Sequence, residues 1–171
     1  KLLIGMALIQ RNYSEFEKWV NQLIEFDKYN FNYYKIKLNE VSDLREKYNL
    51  AYSYENLFEN ESDFYNYIIY ISFDMFDSYK EFKNSEFLDK IDQLIQKSLK
   101  LEPSLENNAY RYKIILYKKQ MSLPSNLKNK EKLGEIENEA FNFIHSLRQN
   151  NRSNLNLLNN GDLCTKQPLC S

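Results

Sequence analysis

Histidine is the scarcest chemistry-bearing residue in this 171-residue chain. There is one, alongside two cysteines, three glycines and three prolines. A single His with two Cys leaves almost no material for a zinc site or a histidine-based catalytic centre. So few glycines leave little for phosphate-cradling loops, and so few Gly and Pro speak against turn-dense β structure. No Gly-x-Ser-x-Gly, Walker loop or His-Glu-x-x-His is present. No apolar run approaches the roughly 18 residues of a membrane span. Excess charge of one sign is missing too: Lys+Arg is 23, Asp+Glu is 24, and the net charge is −1. That balance argues against a generic nucleic-acid binder and a basic membrane-surface protein. The expectation is therefore no enzyme activity, no cofactor, no metal, no nucleic acid and no membrane.

Hydrophobic residues make up 43% of the chain and charged residues 27%, a soluble globular composition at a length that suits one domain. Aromatics reach 15%, with 14 Tyr and 11 Phe. Tyr, Phe, Asn and Lys share A/T-rich codons, so their abundance reads first as coding bias. A stacking surface would need those rings off the core face. The Asn-x-Ser sequons at Asn12, Asn60 and Asn151 are expected by chance in so Asn-rich a chain.

Hydrophobic spacing is helical almost throughout. The chain opens at Lys1 rather than Met, which implies sequence upstream, and Leu2 to Ile9 reads as a first, largely buried helix. Ser14 with Glu17 reads as a capping box, followed by one stripe of Phe16, Trp19, Val20, Leu23 and Ile24. Asn30 caps a helix with Tyr34, Leu38, Val41, Leu44, Tyr48 and Ala51 inward, then a short helix carries Tyr54, Leu57 and Phe58. Ser62 is the expected cap of the next helix, over 63–82. There Phe64, Tyr67, Tyr70, Phe73, Phe76, Tyr79 and Phe82 recur every third residue, a series that walks around the axis. A second series, Phe64, Ile68, Ile71, Met75 and Tyr79, holds one face. A helix apolar on more than one side is normally covered on more than one side, so this one is expected at the centre.

Ser85 is the expected cap of a helix with Phe87, Ile91, Leu94, Ile95, Ser98 and Leu99 inward, stopped at Pro103. A helix over 105–121 and another over 130–149, with Leu133, Ile136, Ala140, Phe143, Ile144 and Leu147 as its stripe, complete the pattern. Residues 150–171 form an Asn-rich tail. Helices joined by short loops imply an all-α domain of antiparallel hairpins over 1–149, with about seven helices.

Two stretches carry a family signal. One runs Ile4-Gly5-Met6-Ala7-Leu8, Asn12-Tyr13, Phe16 and Leu23-Ile24-Glu25-Phe26-Asp27. The other runs from Ile91 through Ser98-Leu99-Lys100-Leu101-Glu102-Pro103, with Asn108-Ala109-Tyr110 and Ile114-Ile115 opening the next unit. They resemble tetratricopeptide repeats. The resemblance implies a short TPR-like α-solenoid, since a two-helix unit cannot bury its apolar stripe alone. It also implies a concave face that holds an extended peptide or a partner helix.

Few residues suggest chemistry. Asp74 and Asp77 sit one turn apart, and Glu59, Glu61 and Asp63 cluster in a loop, but neither set has calcium-loop spacing. Both read as solvated acidic surface, and His145 as a boundary residue. Cys164 and Cys170 fit a disulfide in an oxidising compartment or free thiols in the cytosol. Charge is segregated along the chain. Residues 51–77 hold Glu55, Glu59, Glu61, Asp63, Asp74 and Asp77 with no Lys or Arg. Residues 111–132 hold Arg111, Lys113, Lys118, Lys119, Lys128, Lys130 and Lys132 against Glu131.

Two functions follow as expectations. The first is a non-catalytic module binding a protein or peptide partner, with Tyr67, Tyr70 and Phe73 as anchors because they lie off the main stripe. The second is a small inhibitor or immunity-type protein whose acidic residues Glu59, Glu61 and Asp63 occupy the basic site of a toxin or nuclease.

Overall fold

The computed structural model describes residues 13–104, 106–128 and 133–150. Several sequence expectations lie outside the described residues. They are the opening helix, the tail beyond Asn150 with Cys164 and Cys170, the sequons at Asn12 and Asn151, Lys130 and Lys132, and the side chains of Leu133, Ile136 and Leu147.

The fold is all-α. Among the described residues eight α-helices follow one another: α1 Tyr13–Phe26, α2 Phe31–Asn39, α3 Leu44–Ser53, α4 Glu55–Phe58, α5 Ser62–Ser78, α6 Ser85–Leu101, α7 Ala109–Ser122 and α8 Leu133–Asn150. A 3₁₀ turn, Lys80–Phe82, joins α5 to α6, and no strand occurs among the described residues.

Local side chains set the helix starts. Asn30 accepts a hydrogen bond from the Asn32 backbone N–H at 3.2 Å and caps α2 as expected. Asp43 accepts from Glu46 N–H at 2.8 Å and starts α3, so the single helix expected through Ala51 is broken at 40–43. Asn84 takes the capping role expected of Ser85, accepting from Phe87 N–H at 2.9 Å. Ser62 is not a cap either. It is the first residue of α5, and its hydroxyl donates to Glu102 Oε2 at 2.6 Å. Ser14 likewise lies inside α1.

The helix expected to run to Phe82 ends at Ser78 because Tyr79 turns extended. That turn lets Phe82 reach forward to Phe87, with ring centroids 4.7 Å apart. It also sets Tyr79 beneath the Arg45 guanidinium at 4.4 Å.

Helix α5 is central, as its two apolar series require. Eleven of its 17 residues are buried, which takes cover on several sides. It packs against α3, α6 and α7, while α6 packs on α7, α7 on α8, and α1 on α2. The main core joins Phe31, Tyr34, Leu38 and Phe58 to Phe64, Ile68, Ile71 and Met75 of α5, then to Leu88, Ile91 and Ile95 of α6 and Leu116 of α7. Phe16 and Val20 of α1 form a smaller cluster with Trp19, Leu23, Ile24 and Ile36.

A polar lock is set into this core. Asn107, in the turn before α7, donates to the carbonyls of Glu102 at 2.8 Å and Ser98 at 3.2 Å. Its Oδ1 accepts from Ala109 N–H and from Asn66 Nδ2, both at 2.9 Å. The Ser98 hydroxyl donates to Asn66 Oδ1 at 3.1 Å. Three elements are thus tied by buried groups that satisfy one another. Nearby in the α6–α7 seam, the buried Lys113 ammonium meets Asp92 Oδ1 at 2.5 Å.

Candidate functional site

An aromatic knot brings two sequence-distant turns to one corner. Phe31 begins α2, Phe58 ends α4 and Phe64 lies in the first turn of α5. The Phe31 ring meets Phe58 and Phe64 edge-on, at centroid separations of 5.2 and 5.3 Å. The α1–α2 turn, 27–30, therefore lies beside the loop over 59–61.

Acidic groups converge there. Glu59 and Asp63 are exposed and Glu61 is half-buried. Burial pushes the Glu61 carboxyl above the usual carboxylate range, and the like charges of Asp63 and Asp27 push it the same way. None of Asp27, Glu59, Glu61 and Asp63 has an ion-pair partner among the described residues. Nearby in the chain, Phe26 at the end of α1 is 86% exposed and Tyr29 in the α1–α2 turn 59%. Sequence reasoning found Glu59, Glu61 and Asp63 but missed Asp27, Phe26 and Tyr29, because only the fold joins the two turns.

A cleft of about 450 Å³ adjoins this corner through Glu59 and Asn60. Its other lining comes from Glu55 and Asn56 of α4, Tyr65 of α5, and Lys97, Lys100 and Leu101 at the end of α6. Lys97 Nζ binds Glu55 Oε1 at 2.9 Å and lies 5.4 Å from the centre of the Tyr65 ring. That hydrogen bond to Glu55 raises the Lys97 pKa, so the ammonium stays charged at neutral pH and is no nucleophile. Lys100 and Glu59 have no ion-pair partner among the described residues, and they place opposite free charges on the cleft.

The three expected aromatic anchors lie elsewhere, and two of them are core. Tyr67 is 7% and Phe73 6% exposed, which corrects the expectation that rings off the main stripe stand free. Neighbouring helices cover both sides of α5, so a second apolar series finds a second wall. Tyr67 packs on Phe31 at 5.6 Å and donates its hydroxyl to Asn39 Oδ1 at 2.9 Å. Burial pushes its pKa up to about 12. Phe73 meets Tyr112 of α7 at 6.0 Å. Tyr70 is half-buried, with its hydroxyl near the Asp74 carboxyl.

The charge segregation seen in sequence is partly closed inside the fold. Lys119 Nζ contacts both carboxylate oxygens of Asp77, at 2.6 and 2.8 Å. Lys97 takes Glu55, and Lys113 takes Asp92. Asp74 is half-buried, and burial lifts its carboxyl above the usual range, Asp77 adding to the lift while the Tyr70 hydroxyl opposes it. His145 is exposed and stacks on Phe141 with centroids 6.1 Å apart. No group of three His, Cys, Asp or Glu suited to a metal ion occurs among the described residues. Among them, too, no helix is long and apolar enough to cross a membrane.

Comparison of the chain with protein families, curated proteins and solved structures gives no match.

Proposed function

We propose that this domain is a non-catalytic docking module: a TPR-like stack of helices that holds a protein or peptide partner in the cleft between α4 and the end of α6. The cleft itself carries this reading. Its walls are a short helix and helix ends fixed to a dense core, and it mixes the edge of one buried tyrosine, a leucine, side-chain amides and charges of both signs. Such a lining suits a peptide backbone and its side chains. Two features support the stacked-repeat resemblance. Successive helices α5 to α8 pack on their sequence neighbours, and α5 also touches α7. The repeat-like ending Ser98 to Pro103 is where the polar lock turns the chain into the next helix.

The test fills the cleft without changing its charge. Asn56 and Asn60 are exposed, so the double substitution Asn56→Tyr with Asn60→Tyr should leave the fold intact. A partner retained from native-cell extract by the wild type should be lost from the folded double variant. Equal retention by both would overturn the reading.

The unpaired carboxylates Glu59, Glu61 and Asp63 favour a second reading, an inhibitor that fills a basic active site. Reversing those three charges should then abolish inhibition of the target and the salt dependence of its association rate.

A further inference from the structure

The exposed aromatic pair Phe26 and Tyr29 sits where unpaired carboxylates crowd, and the two features together define an occupant. A surface that joins apolar rings to anionic groups is complementary to a segment that is apolar on one side and cationic on the other. We infer that the end of α1, the α1–α2 turn, the loop over 59–61 and the start of α5 form a docking surface for a basic amphipathic segment of a partner protein. This deepens the docking reading above and rests on it.

The charge balance at the corner is one-sided. Asp27, Glu59, Glu61 and Asp63 stand at this corner against Lys28. Lys28 lies 4.9 Å over the Tyr29 ring, so its ammonium covers an aromatic face. Five carboxylates elsewhere meet cations of the same chain, among them Asp77 with Lys119 and Glu55 with Lys97. At this corner they meet one another. A partner's Lys or Arg side chains would relieve that repulsion, and its apolar side would cover the most exposed large hydrophobic side chain described, Phe26. The rings supply area and the carboxylates supply steering and register.

The test uses the full chain and a labelled 18-residue helical peptide of Lys and Leu, with a Glu and Leu peptide as control, read by fluorescence anisotropy. The basic peptide should bind and the acidic one should not. Phe26→Ser with Tyr29→Ser should weaken binding at least tenfold while the circular dichroism spectrum is unchanged. Glu61→Gln with Asp63→Asn should weaken it and flatten its salt dependence. Equal affinity for wild type and both double variants would overturn the inference, as would no binding of the basic peptide. Loss of the native partner on filling the cleft, with the Phe26/Tyr29 variant still retaining it, would keep the docking module and overturn this occupant.

Discussion

Asn66 of α5 donates its side-chain amide to Asn107 Oδ1 across 2.9 Å, inside the seam between α5 and the turn into α7. Asn107 is 3% exposed and also serves the carbonyls of Ser98 and Glu102 and the N–H of Ala109. Asn107→Ala strands several of these groups at once. It should cost about 2–4 kcal/mol in urea unfolding, since each buried unpaired group costs roughly 1–3 kcal/mol less whatever water returns. A loss below ~1 kcal/mol would show the lock to be ornamental.

The Lys113–Asp92 pair should respond unequally to its two deletions. The Lys113 side chain is 7% exposed and that of Asp92 33%. Asp92→Asn leaves a buried ammonium without its anion and should cost about 1–3 kcal/mol. Lys113→Met leaves a carboxylate that water reaches, and its apolar chain fills the same space. That change should lie within about 1 kcal/mol of wild type. The order of the two midpoints in a denaturant titration checks this.

Asp74 makes the domain pH-sensitive in the direction opposite to a salt-bridged acid. Its carboxyl titrates above the usual carboxylate range in the folded state. The stabilisation from the protonated form is full below the unfolded pKa, near 4, and is lost as pH rises through the higher folded value. Asp74→Asn should therefore raise the melting temperature at pH 7, and the difference should vanish towards pH 3. Glu61 shifts the same way.

Phe73 and Tyr70 lie three residues apart and should behave differently. Phe73→Ala removes a core ring beside Tyr112 and should cost about 3–5 kcal/mol. Tyr70→Phe removes only a hydroxyl near the half-buried Asp74 and should cost at most about 1 kcal/mol. Thermal unfolding of the two single variants separates them.

Much of the fold was legible because helical period is a one-dimensional signal. The stripe Phe87, Ile91, Leu94, Ile95, Ser98 and Leu99 of α6 reads directly from the chain, and all but the half-buried Leu99 are buried. The break at 40–43 had a signal in Asp43 with Glu46 three positions on, but the inward stripe runs straight across it. The stop at Ser78 had none, since neither Gly nor Pro marks it and the reach of Phe82 to Phe87 is tertiary. The site was half legible. Glu59, Glu61 and Asp63 cluster in sequence, whereas Asp27, Phe26 and Tyr29 join them only through the Phe31, Phe58 and Phe64 rings. Periodicity also says which side chains are apolar without saying how many neighbours wait to cover them, which is why Tyr67 and Phe73 looked free.

The enclosure of α5 has a cost when the domain opens. Tyr67-Ile68-Ile69-Tyr70-Ile71-Ser72-Phe73 is β-branched and aromatic, with no charge and no proline to interrupt it. Such a stretch pairs readily with copies of itself once unwrapped. The helices packed on α5 thus act as a sheath, and heating past the transition should lead to precipitate faster than to refolded protein.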